Sequence, residues 1–99
     1  MKVPPSNADP RFTVQVIDIE HAKVIHAQEL CREIFAKGSE DKHIEEKMAK
    51  HLKQCFEQKY DGVWHCVVGT SFGAYVTHRQ NNFLYFYVDN FAVMLFRNA

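Results

Sequence analysis

Ninety-nine residues, 46% of them hydrophobic and 24% charged, make a chain sized for one globular domain. Twelve Lys+Arg balance twelve Asp+Glu, and a formal net charge of zero argues against phosphate-backbone binding, which relies on a cationic surface. No apolar run approaches the roughly 20 residues of a membrane span, the N-terminus lacks a signal peptide's apolar stretch, and three cysteines give no even disulfide set. The expectation is a soluble intracellular domain, with neither nucleic-acid binding nor membrane insertion. A domain this small buries only about two-thirds of its unfolded surface, so its stability is marginal or shared with a partner.

In chain order, residues 1–11 hold all three prolines with Ser6, Asn7 and Asp9, the composition of a flexible lead-in or linker. Residues 12–99 form the domain. Phe12, Val14 and Val16 alternate with Thr13, Gln15 and Ile17, which predicts a short strand. Asp18 is placed to cap a helix with the apolar stripe Val24, Ala27, Cys31 and Ile34, flanked by Leu30 and Phe35. Gly38 stops that helix, and Ser39, Glu40 and Asp41 form a connector. A second helix carries a cleaner stripe: Ile44, Met48, Leu52, Cys55 and Phe56, broken by Asp61-Gly62. Four strand-like runs follow at residues 63–68, 72–78, 83–88 and 91–96, the last two joined by the two-residue turn Asp89-Asn90.

Charge and aromatic content are segregated along this order. Residues 61–99 hold 4 of the 24 charged residues but 9 of the 13 aromatics. A polar helical first part followed by an aromatic β-rich part predicts an α+β fold, two helices packed on an antiparallel five-stranded sheet.

Reactive side chains are poorly arranged for chemistry. His65-Cys66 together with His51 and Cys55 could suggest a metal site. Adjacent strand residues point to opposite faces, however, and Cys55 belongs to an apolar stripe, so buried thiols are the better reading. No glycine-rich phosphate loop occurs, and no spacing pairs a nucleophile with a base and an oxyanion site. Phe83-Leu84-Tyr85-Phe86-Tyr87 could stack bases, but no basic patch accompanies it, and core or interface packing explains it better. Neither an enzyme nor a cofactor is expected. Residues 72–78 stand out instead, because Gly73, Ala74, Tyr75, Thr77 and His78 are small or amphipathic. Such a strand can accept another backbone alongside it; an ordinary edge strand is the alternative.

Tyr60-Asp61-Gly62-Val63-Trp64-His65-Cys66-Val67-Val68-Gly69, Ser71-Phe72-Gly73-Ala74-Tyr75-Val76-Thr77-His78, Phe83-Leu84-Tyr85-Phe86-Tyr87 and Ala92-Val93-Met94-Leu95-Phe96 closely resemble the small dynein light chain hub family. That family is also met as the protein inhibitor of neuronal nitric oxide synthase and is distinct from the Tctex and roadblock light chains. The match runs without a gap from about Glu45 to the C-terminus. It continues more weakly back to Val14, with an apparent insertion near residues 37–41.

The resemblance implies a strand-swapped homodimer in which residues 72–77 cross to the partner's sheet. Disordered client peptides, such as segments of dynein intermediate chain, would add to the free edge of that strand, in the cytoplasm and on the dynein-associated cytoskeleton. Carried over by position, the groove would be lined by Thr70, Ser71, Phe72, Ala74, Tyr75, Val76, Thr77 and His78. Phe83, Tyr85, Tyr87 and Ala92 would form its floor, and Glu45 and Glu46 would come from the other protomer's helix. The implied dimer interface is His65, Val67, Phe72, Gly73, Ala74, Tyr75, Val76 and Thr77.

Several positions depart from the family pattern. Thr70-Ser71 replace Arg-Asn, Ala74 replaces Ser, Glu46 replaces Lys, Asp89-Asn90 replace Gly-Gln, and Phe91 replaces Val. These imply altered client specificity. Similar divergent domains occur at the C-terminus of flatworm tegumental proteins whose N-terminal half is a pair of calcium-binding EF-hands. This chain contains no acidic EF-hand loop, so on that alternative it is the dimerising, regulatory light-chain part alone.

Overall fold

The computed structural model of the chain describes residues 10–38, 40–70 and 82–97. The elements run β1 (Phe12–Asp18), α1 (His21–Gly38), α2 (Ile44–Lys59), β2 (Trp64–Gly69), β3 (Phe83–Val88) and β4 (Phe91–Arg97). The sheet order is β1-β3-β4-β2, antiparallel at each junction. Four strands are therefore described where five are expected; the expected strand at residues 72–78 lies outside the described residues, as does most of the lead-in.

One expected cap is corrected. Asp18 does not start α1, because it is the last residue of β1, opposite Phe83, and its carbonyl accepts the Asn82 N–H at 2.6 Å. The helix is opened instead by the Glu20 carbonyl, which accepts the N–H groups of Lys23 and Val24 at 2.9 and 3.3 Å. Val24, Ala27, Leu30, Cys31 and Phe35 form its buried stripe, with Ile34 half-buried beside them. Gly38 ends α1 at φ +150°, a conformation that side-chain-bearing residues rarely adopt.

In the connector, the Asp41 carboxylate accepts the His43 N–H at 2.7 Å and holds the Lys47 ammonium. α2 then buries Ile44, Met48, Leu52 and Phe56 at helical spacing, and Cys55 sits half-buried. Its end is tied to β2 by Glu57, which accepts from Lys53 at 2.7 Å and from the Trp64 N–H at 3.0 Å, while the indole N–H donates to the Asp61 carbonyl at 3.1 Å. Gly62, at φ +99°, is required where it stands: a Cβ there would lie 2.3 Å from Arg97 Cδ.

The β3–β4 turn also anchors the first strand. The Asp89 N–H donates to the Arg11 carbonyl at 2.8 Å, and the Arg11 N–H returns to Asp89 Oδ1 at 2.9 Å. The core lies between the helices and one face of the sheet, where Leu84, Phe86, Val88, Val93 and Leu95 meet the buried stripes of α1 and α2. Phe56 is its aromatic centre, with ring centroids 4.9 Å from Tyr60, 5.0 Å from Trp64 and 5.3 Å from His26.

Candidate functional site

Side chains of a strand alternate between faces, so β3 sends Leu84, Phe86 and Val88 towards the helices and Phe83, Tyr85 and Tyr87 away from them. The register then assembles a second apolar surface. Phe83 is opposite Phe96, Tyr85 opposite Met94 and Tyr87 opposite Ala92. From β2, His65 is opposite Phe96, Val67 opposite Met94 and Gly69 opposite Ala92. From β1, Val16 is opposite Tyr85, displaced by an irregularity in the ladder between Val14 and Val16.

Phe83, Tyr85 and Ala92 are buried in this second cluster, with Val16, Tyr87, Met94 and Phe96 half-buried around them. The Phe96 ring centroid lies 6.2 Å from Phe83 and 5.3 Å from His65. The Tyr85 and Tyr87 hydroxyls stand 3.5 Å apart. That contact, reinforced by burial, pushes the Tyr85 hydroxyl up to about 12, so it stays protonated and available as a hydrogen-bond group. Among the described residues, this face carries no lysine or arginine; Asp18, opposite Phe83, is its one formal charge. It is suited to packing and hydrogen bonding rather than to acid–base chemistry.

The structure therefore brings the expected floor residues Phe83, Tyr85, Tyr87 and Ala92 onto one face with His65 and Val67 of the expected interface. Thr70 follows β2 directly and is exposed. Ser71, Phe72, Gly73, Ala74, Tyr75, Val76, Thr77 and His78 lie outside the described residues. Glu45 and Glu46 are in the first turn of α2, in the helical layer across the sheet from that floor, and the N-cap residue His43 makes no side-chain cap. Glu46 is exposed, with Oε1 3.6 Å from His43 Nδ1. Sequence reasoning missed Val16, Met94 and Phe96 as members of this face; the signal was the period-two pattern of β4 taken together with its register to β3.

The histidines and thiols are dispersed. His65 and Cys66 project to opposite faces of β2: His65 lies tilted against Phe96, while Cys66 packs against the core. Burial raises the Cys66 thiol well above its usual range and pushes Cys31 up to about 12, so both stay protonated. Cys55 Sγ is 3.8 Å from His51 Nδ1, and the other ring nitrogen of His51 is 2.9 Å from Glu33. Among the described residues, no three donors converge as a metal site would require. No described helix is long and apolar enough to cross a membrane.

The family model for dynein light chain type 1 matches residues 12–98. A dynein light chain of Schistosoma mansoni is 48% identical over 66 residues, covering 66% of this chain and 74% of that relative. Among solved structures, the dynein light chain-like domain of the Fasciola hepatica calcium-binding protein FhCaBP2 matches with a TM-score of 0.79 and 18% identity over the whole of both chains. The light-chain-like domain of CsTAL3 matches with a TM-score of 0.72 and 16% identity, covering 99% of this chain and 98% of that one. At these identities the solved structures speak to the fold. With the two-helix, antiparallel-sheet architecture in place and the family model spanning residues 12–98, the chain belongs to the dynein light chain family.

Proposed function

We propose that the chain is a homodimeric hub that pairs extended client peptides by β-strand addition, in the cytoplasm and on dynein-associated cytoskeleton. The observation that carries this reading is the second apolar face, Phe83, Tyr85, Ala92 and their neighbours, beside β2, which is an edge strand among the described residues. That edge can pair with the strand that crosses from the other protomer, whose own free edge receives the client, and an aromatic floor supplies pockets for alternate client side chains. Thr70, Ser71, Phe72 and residues 74–78 line the groove in this reading, and Glu45 and Glu46 reach it from the other protomer. Each backbone bond of strand addition nets about 1 kcal/mol, so single short peptides bind weakly and bivalent clients far more tightly.

Titration with a dynein intermediate-chain peptide tests this, alongside Val76→Pro, which removes an edge donor. The expected outcome is a dimer that binds wild-type peptide measurably and loses it on Val76→Pro. Equal client binding by a dimeric Val76→Pro would remove the strand from the groove.

The whole-length structural likeness to the light-chain-like domain of a flatworm calcium-binding protein favours a second reading. There the chain is a dimerising, regulatory domain of a larger tegumental calcium-binding protein with altered client specificity. Intact dimerisation without any intermediate-chain binding selects it.

A further inference from the structure

Away from the client face, α1 and α2 enclose a groove on the outside of the helical layer. Two adjoining hollows share Ile34, Lys37 and Lys47. The larger, about 320 Å³, is further lined by Lys50, His51 and Gln54; the smaller, about 60 Å³, by Gly38, Asp41 and Ile44. The cations come from both walls, Lys37 from α1 and Lys47 and Lys50 from α2. Lys47 and Lys50 are three residues apart, neighbours on one helix face. Of these, Lys47 is held by Asp41 and His51 by Glu33. Lys37 and Lys50 meet no carboxylate among the described residues. Between them Ile34 lies half-buried, an apolar floor beneath a cationic rim.

We infer that this α1–α2 groove docks a short acidic segment of a partner protein, with one apolar side chain over Ile34 and flanking carboxylates on Lys37 and Lys50. Charge complementarity selects this occupant. The two unpaired lysines attract carboxylates, and Glu33 and Asp41 limit the cationic zone to a few residues, too short to track a phosphate backbone. A membrane surface is disfavoured because the apolar group is sunk between the helices rather than projecting from them. Within one protomer, the groove lies across the sheet from the client floor.

The test is fluorescence anisotropy of the full chain with a labelled dodecapeptide of aspartate and glutamate around one central leucine. Binding that weakens as salt rises is expected. Reversing both charges in Lys37→Glu/Lys50→Glu should weaken it by about tenfold or more. Arg11→Glu/Lys59→Glu changes net charge equally at exposed sites elsewhere and should bind as wild type does. Replacing the probe's leucine by serine should cost a few-fold. Absence of probe binding at millimolar protein overturns the proposal. So does equal weakening by both double variants, or tighter Lys37- and Lys50-dependent binding of polyuridine or phosphatidylserine vesicles than of the peptide.

Discussion

The two faces of the sheet are both apolar, yet they are finished differently. On the helix side, Leu84, Phe86, Val88, Val93 and Leu95 are all at 0% exposure beneath α1 and α2. On the other side, Phe83, Tyr85 and Ala92 are buried, Tyr87, Met94 and Phe96 are half-buried, and Val67 remains 44% exposed. An antiparallel sheet covered by helices on one side ordinarily turns polar residues to the other. Here the alternation separates two apolar sets, one packed beneath the helices and one that the proposed dimer would use for association. The Tyr85 and Tyr87 hydroxyls mark the difference: they belong on a surface that must pack and still hydrogen-bond.

The largest effect should come from breaking the folding face. Phe56→Ala removes the ring that joins Trp64, Tyr60 and His26, and should cost about 3–5 kcal/mol of unfolding free energy. Urea denaturation checks this, with a midpoint loss of similar size at every protein concentration. A loss below about 1 kcal/mol would mean the helical layer is not where stability resides.

Breaking the second face should act on the proposed assembly. Val67→Asp places a carboxylate at a partly exposed position, so the protomer itself should lose about 1 kcal/mol or less. Desolvating that charge in a dimer should weaken self-association by about 2–3 kcal/mol. His65→Lys, which loses the ring contact with Phe96 and adds a fixed charge, should do the same to a smaller degree. Sedimentation velocity reads both. A Val67→Asp chain that associates like wild type would separate β2 from the dimer interface.

The folding face was the more legible of the two in the sequence. The stripes Val24, Ala27, Cys31 and Ile44, Met48, Leu52, Phe56 are local, three to four residues apart, and Gly38 and Asp89-Asn90 punctuate them. Asp18 misled because a capping residue and a strand-end residue look alike until the ladder to Phe83 is known. The family resemblance groups Phe83, Tyr85, Tyr87 and Ala92, and the strand register places them on one face of the sheet. Met94, Phe96 and Val16 join them only through register, and for Val16 through an irregularity that no local pattern signals. The lysine groove was invisible for the same reason: Lys37 and Lys50 become neighbours only when α1 folds back on α2.

A smaller effect should sharpen the client specificity proposed for the dimer. Glu46 is exposed at the uncapped start of α2. If that turn serves the partner's groove, its charge disfavours acidic residues beside the client's anchor. Glu46→Lys should shift preference towards acid-flanked peptides by about 0.5 kcal/mol, more strongly at low salt. An unchanged ranking across a peptide panel removes Glu46 from the site.

The smallest effect returns to the folding face and is read by pH. His26 stacks on Phe56 at an interplanar angle of 16°, and its Nδ1 is hydrogen-bonded with the Tyr60 hydroxyl at 3.0 Å. Burial lowers its pKa from the ordinary 6.5, with Lys59 and His51 acting in the same direction and Glu29 and Glu33 against it. The unfolded chain therefore binds the proton more readily than the folded one. His26 contributes its stability fully above the unfolded value of 6.5, and that contribution is lost as pH falls from there through the depressed folded value. His26→Phe keeps a ring against Phe56 but cannot ionise. Its urea stability should fall less than wild type's between neutral and mildly acidic pH, and the difference between the two profiles isolates His26 from the other histidines. Two profiles that stay parallel through that window would show that the acid sensitivity belongs elsewhere.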